Sequence, residues 1–171
     1  VIVANHPSLL DVVMIVSRLP NAVCVMKAQL MDNILFGAAA RLARYIRNDS
    51  ALDMVRDARM ELQRGAQLVI FPEGTRTTSF PINRCLPTAG LIAKRSATPV
   101  QALCIEFSSP YLGKQWPLFK RPELPLRFSV RPGERFPAPG NVSAFASTLE
   151  EYLRSELTST NSSTATLPQC S

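Results

Sequence analysis

The sequence contains one histidine, four cysteines and no long hydrophobic run, and each of these features excludes a kind of protein or site. A single histidine excludes a metal centre built from several imidazoles. Cys24, Cys85, Cys104 and Cys170 show no metal-ligand spacing, which favours free thiols in a reducing compartment. No apolar run reaches the roughly 20 residues that span a bilayer, and no signal peptide is recognisable.

The composition indicates one globular domain with an anionic partner. Apolar residues make up 46% of the 171 residues and charged residues 19%, which suits a single hydrophobic core. The net charge of +6 favours a phospholipid surface, a phosphorylated substrate, coenzyme A or a nucleic acid. No nucleic-acid-binding motif accompanies that charge. The chain opens at Val1 inside an apolar stretch typical of a strand, so we expect further sequence before it.

Strands alternate with helices along the chain. This order predicts an α/β single-domain sandwich with a mostly parallel central sheet flanked by helices. The predicted strands cover residues 1–4, 22–26, 45–46, 67–71, 99–105 and 126–130. The predicted helices cover residues 7–18, 34–43, 51–64, 88–96 and 144–157. A single folded domain is predicted over residues 1–154, and the Ser/Thr-rich residues 155–171 predict a disordered tail.

The stretch Asn-His-Pro-Ser-Leu-Leu-Asp at residues 5–11 puts the one histidine at a strand-to-helix junction. Five residues of ideal helix turn by about 140°, so two helical side chains at this spacing would not share a face. If His6 precedes the helix, its ring can fold back over the first turn, and Asp11 can accept a hydrogen bond from one ring nitrogen. The other nitrogen is then left basic, as in a general base. The pattern also fits a capping histidine beside an ordinary acid.

The stretch Phe-Pro-Glu-Gly-Thr-Arg at residues 71–76 directly follows a buried strand, where ligand sites of α/β proteins gather. Gly74 permits a tight turn there. Glu73 can bind a hydroxyl or brace Arg76, whose guanidinium can hold a phosphate by a forked contact. Lys27, at the end of the second predicted strand, either adds charge to a phosphate pocket or is a solvated lysine.

The two motifs, with about 60 residues between them, resemble those of the lysophospholipid or 1-acylglycerol-3-phosphate acyltransferases, which carry H-x4-D and a later FPEGTR-type box. The resemblance extends over about residues 1–135 and implies an O-acyltransferase of phospholipid biosynthesis. It implies that His6 deprotonates the acceptor hydroxyl and that Asp11 orients His6. No metal, cofactor or acyl-enzyme intermediate is expected. The implied substrate-binding residues are Glu73, Gly74, Thr75, Arg76 and Lys27.

The resemblance also implies the partners. We expect a membrane lipid as acceptor, with 1-acylglycerol-3-phosphate as the first choice. We expect acyl-CoA or acyl carrier protein as donor. We expect the protein on the cytoplasmic face of the inner membrane, either peripheral or anchored through preceding sequence. Residues 45–48 match the family's second box loosely, and residues 84–90 replace its Phe-Lys-rich stretch. These departures leave open another lipid acceptor, such as an amino-acid lipid or a glycolipid, and a membrane-binding module without turnover.

Overall fold

The computed structural model describes residues 1–26, 45–47, 50–117 and 120–164. Its helices are α1 (Leu10–Val16), α2 (Ala51–Gln63), α3 (Thr88–Ser96) and α4 (Val142–Thr164). Its strands are β1 (Ile2–Ala4), β2 (Ala22–Met26), β3 (Ile46–Arg47), β4 (Gln67–Ile70), β5 (Val100–Phe107) and β6 (Phe128–Phe136). Three features of the sequence analysis lie outside the described residues: Lys27, the predicted helix over residues 34–43, and Asn48 of the loosely matching box.

Six strands form one sheet in the order β3-β2-β4-β1-β5-β6. Strand β1 runs parallel between β4 and β5, and β2 runs parallel to both β3 and β4. Among the described strands, β6 alone is antiparallel, and it pairs with β5. The predicted α/β fold with a mostly parallel sheet is therefore confirmed. Because β1 and β4 are parallel neighbours, the segments that follow them meet at the same edge of the sheet.

Both faces of the sheet are covered. Successive residues of a strand point to opposite faces, so Leu68 and Val69 of β4 enter different core clusters. The cluster around Leu68 also receives side chains of α2, α3 and α4. The cluster around Val69 receives Ile15 of α1. This burial on both sides explains the uninterrupted apolar sequence of β4.

The C-terminal helix corrects one prediction. Helix α4 continues to Thr164, so the predicted disordered tail from residue 155 is wrong as far as residue 164. Leu149, Leu153 and Leu157 repeat every four residues and are 1%, 0% and 3% exposed. This apolar stripe packs into the core and outweighs the helix-disfavouring Ser/Thr composition. Residues 165–171 lie outside the described part of the chain. None of the described helices is long and apolar enough to cross a membrane.

Candidate active site

The histidine and the aspartate of the first motif are in contact. Strand β1 ends at Ala4, and α1 begins at Leu10, so His6 lies in the connecting turn and Asp11 in the first helical turn. The Nδ1 atom of His6 is 2.9 Å from Oδ2 of Asp11. The structure thus brings the two residues together in the predicted way, with the ring folded back over the start of the helix.

The surroundings of Asp11 fix the orientation of the ring. Asp11 is completely buried, and its Oδ2 also accepts a hydrogen bond from the backbone N–H of Ser8 at 2.8 Å. Burial raises the pKa of Asp11, and the hydrogen bonds from His6 and Ser8 oppose this rise. A carboxylate can only accept hydrogen bonds, so the ionised Asp11 requires a proton on Nδ1 of His6. Nε2 is then the basic nitrogen of the neutral imidazole.

A second contact holds the flat face of the imidazole. The ring of His6 stacks on Phe71, with centroids 4.1 Å apart and planes inclined by 20°. Phe71 directly follows β4, the parallel neighbour of β1. The side chain of His6 retains 13% of its exposure, and its Nε2 forms no hydrogen bond to the described residues. The imidazole is therefore fixed in direction and still open to a substrate.

Glu73 joins the two motifs. It is buried, and its Oε1 accepts hydrogen bonds from the backbone N–H of His6 at 2.9 Å and the hydroxyl of Thr77 at 2.7 Å. Its Oε2 accepts one from the N–H of Asn83 at 2.9 Å. Burial raises the pKa of Glu73, and these three hydrogen bonds oppose the rise. In this structure Glu73 is an anchor of the histidine loop, and none of its three bonds goes to Arg76.

The backbone carbonyl of His6 is held by the same loop. It accepts a hydrogen bond from the N–H of Thr77 at 2.7 Å. Gly74 makes the turn that allows this, because its φ is +65° and its N–H donates to the carbonyl of Phe71 at 3.0 Å. Thr75 lies half-buried in the same loop. Glu73 of the second motif and Thr77 directly after it thus hold the backbone of His6 on both sides.

Arg76 fixes a third segment to the site. Its Nη1 donates to the carbonyls of Leu112 and Gly113, at 3.0 and 3.1 Å. The carbonyl of Leu112 also accepts the N–H of Leu9, next to the histidine loop, at 3.1 Å. Nε and Nη2 of Arg76 form no hydrogen bond to the described residues. The predicted phosphate contact of Arg76 stays a prediction, and the structure adds a clamp on residues 108–117.

Arg76→Ala should therefore loosen this segment as well as weaken any phosphate contact. We expect a loss of about 1–3 kcal/mol in the free energy of unfolding, because two carbonyls in a partly buried position lose a charged donor. Urea titration of the variant beside wild type measures the loss. Arg95→Gln, which removes an exposed charge on α3, is the control and should stay within about 0.5 kcal/mol of wild type. A stability of Arg76→Ala equal to that of wild type would contradict the clamp.

Asn5 is a site residue that the sequence reasoning did not assign. It is 3% exposed, and its Nδ2 donates to the carbonyl of Ile105 at 2.8 Å. The N–H of Ile105 donates to Oδ1 of Asn5 at 2.7 Å. The amide thereby continues the pairing of β1 with β5 up to the residue before His6. An asparagine directly after an apolar strand was the available signal, since a buried amide needs partners.

A buried carboxylate in contact with an imidazole, at the carboxyl edge of a mostly parallel sheet, is the arrangement that a general base requires in an α/β protein. A family model described as Acyltransferase matches residues 1–106, more than half of the chain, and the chain belongs to that family. The acyltransferase family predicted from the two motifs is confirmed. Among the described residues, no group of three or more His, Cys, Asp or Glu side chains is placed to hold a metal ion.

The fold is similar to a known structure. The crystal structure of PlsC, the 1-acyl-sn-glycerophosphate (LPA) acyltransferase from Thermotoga maritima, matches with a TM-score of 0.70 and 19% sequence identity. The match covers 94% of this chain and 65% of that chain, so this chain spans less than two thirds of the length of its structural relative. At this identity the likeness is one of fold. The comparison with curated proteins gives no match.

Proposed function

We propose that this domain transfers a fatty acyl group from a thioester, acyl-CoA or acyl carrier protein, to the hydroxyl of a lysophospholipid. We propose 1-acylglycerol-3-phosphate as the acceptor and phospholipid biosynthesis as the pathway. The observation that carries the proposal is the 2.9 Å contact of His6 Nδ1 with the buried Asp11, which leaves Nε2 available as a base. Membership of the Acyltransferase family supports the reaction, and the similarity to PlsC supports the acceptor.

The proposed reaction needs only the donor, the acceptor and the histidine pair. Nε2 of His6 takes the proton of the acceptor hydroxyl while the oxygen attacks the thioester carbon and forms the new C–O bond. The tetrahedral intermediate then breaks its C–S bond, and the leaving thiolate takes the proton back from Nε2. Asp11 keeps the proton on Nδ1 throughout and stabilises the imidazolium that forms in between. Ester and thiol are the products, and His6 returns to its starting state.

Direct transfer is favoured over a cysteine-bound intermediate. The nucleophile in such an intermediate would be a thiolate. Cys24, Cys85 and Cys104 are buried free thiols, and burial raises the pKa of the first two to about 12 and of the third to about 11. At neutral pH these three side chains are protonated and poor nucleophiles. The proposal therefore includes no acyl-enzyme on these three cysteines.

We further propose that the domain works at a membrane surface, on the cytoplasmic face of the inner membrane, because its acceptor is a lipid. Leu9, Val13 and Met14 on and beside α1 are exposed to 45%, 62% and 40%, although they are apolar. They follow His6 by three, seven and eight residues in the chain, so a lipid surface that covers them brings the acceptor close to the base. The net charge of +6 favours an anionic surface and is assigned here to lipid, not to nucleic acid.

A second acceptor has one observation in its favour. Nη1 of Arg76, the predicted phosphate ligand, is already engaged by the carbonyls of Leu112 and Gly113. The same acyl transfer to an amino-acid lipid or a glycolipid would not need that guanidinium for phosphate. The two possibilities differ in the acceptor and not in the role of His6.

The test is an acyl-transfer assay in mixed detergent–lipid micelles with acyl-CoA or acyl carrier protein as donor. The acceptors are 1-acylglycerol-3-phosphate, 1-monoacylglycerol and a lyso-amino-acid lipid, and mass spectrometry identifies the products. We expect phosphatidic acid from wild type, and a rate of its formation lower by about 10²- to 10⁴-fold in His6→Ala. Transfer only to an unphosphorylated lipid would show that 1-acylglycerol-3-phosphate is not the acceptor. Wild-type protein that binds vesicles but transfers from neither donor would refute the proposal and identify a membrane-binding module.

A further inference from the structure

A basic cleft of about 370 Å³ opens beside the histidine loop. One wall includes Pro7, which follows His6 in the chain, and Thr77, whose N–H donates to the carbonyl of His6 at 2.7 Å. Lys114 and Lys120 also line the cleft. The cleft therefore begins within one residue of the proposed base, although neither lysine belongs to the two motifs.

The charge of this basic cleft is of one sign. Lys114 and Lys120 are its charged lining residues, and none of the described acidic side chains lines it. Both lysines are exposed, and neither forms an ion pair with a carboxylate of the described residues. The ammonium of Lys120 lies 4.9 Å from the ring centroid of Trp116, whose Nε1 donates to the carbonyl of Lys120 at 3.0 Å. These contacts hold Lys120 against the wall and leave its charge available to a ligand.

The segment that carries Lys114 is fixed to the site. Arg76 donates to the carbonyl of Gly113, the residue directly before Lys114. The hydroxyl of Ser8 donates to the carbonyl of Tyr111 at 2.9 Å. A Cβ at position 113 would lie 2.8 Å from the carbonyl oxygen of Pro110, so the tight turn there requires glycine. The basic segment is thus positioned by the same residues that surround the histidine.

We propose that this basic cleft binds the phosphate group of the lipid acceptor, with Lys114 and Lys120 as its ligands. The inference rests on the proposed function. In 1-acylglycerol-3-phosphate the phosphate is on the carbon next to the one that bears the reacting hydroxyl, so it must lie close to His6. In acyl-CoA the whole pantetheine arm separates the phosphates from the thioester, which makes a phosphate beside His6 that of the acceptor. Arg76 positions the loop that supplies the ligands.

The single tryptophan of the chain, Trp116, lines the cleft and reports binding without turnover. Wild-type protein titrated with sn-glycerol 3-phosphate should show a saturable change in tryptophan emission, and glycerol should cause none. Lys114→Gln and Lys120→Gln should each raise the Kd roughly five- to tenfold, since each removes one charge-assisted contact from an exposed site. Lys94→Gln, a lysine outside the cleft, is the matched control and should keep the wild-type Kd.

Kinetic measurements distinguish a site for the phosphate of the acceptor from a site for the phosphates of acyl-CoA. In the lysine variants the preference for 1-acylglycerol-3-phosphate over 1-monoacylglycerol, as a ratio of kcat/KM, should fall roughly tenfold per lysine. A fall instead in the preference for acyl-CoA over acyl-pantetheine would assign the cleft to the donor and overturn the inference. An emission response that is absent in wild type, or identical in the lysine variants, would also overturn it. Failure of the proposed function is a different result, namely no acyl transfer by wild type to any acceptor.

Discussion

Replacement of His6 by alanine should lower kcat/KM for acyl transfer by about 10²- to 10⁴-fold, the usual contribution of a positioned general base. The fold should survive, because the side chain is on a connecting turn and its backbone bonds to Glu73 and Thr77 remain possible. Steady-state kinetics with a thiol-release assay measures the loss. Near-ultraviolet circular dichroism and urea titration of the same preparation establish that the variant is folded.

Asp11→Asn is the matched comparison for this loss. An asparagine amide can donate to Nδ1 of His6, which favours the ring form with the proton on Nε2, and that nitrogen is then no base. We expect a loss of activity of the same order as in His6→Ala. A fully active, folded His6→Ala would remove His6 from the mechanism. An active Asp11→Asn with an inactive His6→Ala would remove only the orienting role of the carboxylate.

Glu73→Gln should reduce both the stability of the domain and its activity. The free energy of unfolding should fall by about 2–4 kcal/mol, because Glu73 is buried and accepts three hydrogen bonds, and glutamine replaces one acceptor oxygen by a donor. If the amide nitrogen of the glutamine replaces Oε2, it faces the backbone N–H of Asn83. If it replaces Oε1, it faces the backbone N–H of His6 and the hydroxyl of Thr77. Urea titration measures the loss, and Glu151→Gln on the exposed side of α4 is the control. A loss below 0.5 kcal/mol, as expected for an ordinary surface change, would contradict the anchoring role.

The pH dependence of stability gives Glu73 a second test. Burial raises the native pKa of Glu73 above its ordinary value of 4.5, so the folded state binds this proton more tightly than the unfolded state does. The contribution of Glu73 to stability therefore falls as pH rises from 4.5 through the raised native pKa. The contribution of Asp11 to stability also falls as pH rises, because burial raises the pKa of Asp11 too. Urea titrations across this range should show a shallower fall for Glu73→Gln than for wild type, and an equal slope would contradict the raised pKa.

The parts of the site that follow from local pattern were predictable. The apolar strand before each motif, the parallel order of strands and the turn at Gly74 are all readable from residue types. They suffice to bring His6 and Glu73 to one edge of the sheet. The contact of His6 with Asp11 follows from the position of the helix start. The catalytic role of this pair stays a prediction that the kinetics above will test.

Other parts depend on contacts between distant segments that no pattern encodes. The bonds of Glu73 to Asn83 and of Arg76 to Leu112 and Gly113 join a side chain to backbone groups, which any residue type supplies. Ser/Thr content misled the prediction of the C-terminal helix, because burial of Leu157 outweighs local propensity. Lys27 lies outside the described residues, so its predicted role stays a prediction.

The most direct test of the central claim is the position of the proton on the imidazole of His6. Because the chain has one histidine, ¹⁵N-labelled histidine in tag-free protein gives the signals of a single ring. Long-range ¹H–¹⁵N spectra distinguish a protonated from an unprotonated ring nitrogen, and should be recorded at a pH where the ring is neutral. Our account predicts a proton on Nδ1 and a free Nε2 in wild type, with a shift towards a proton on Nε2 in Asp11→Asn. A wild-type ring protonated on Nε2 would contradict the general-base site.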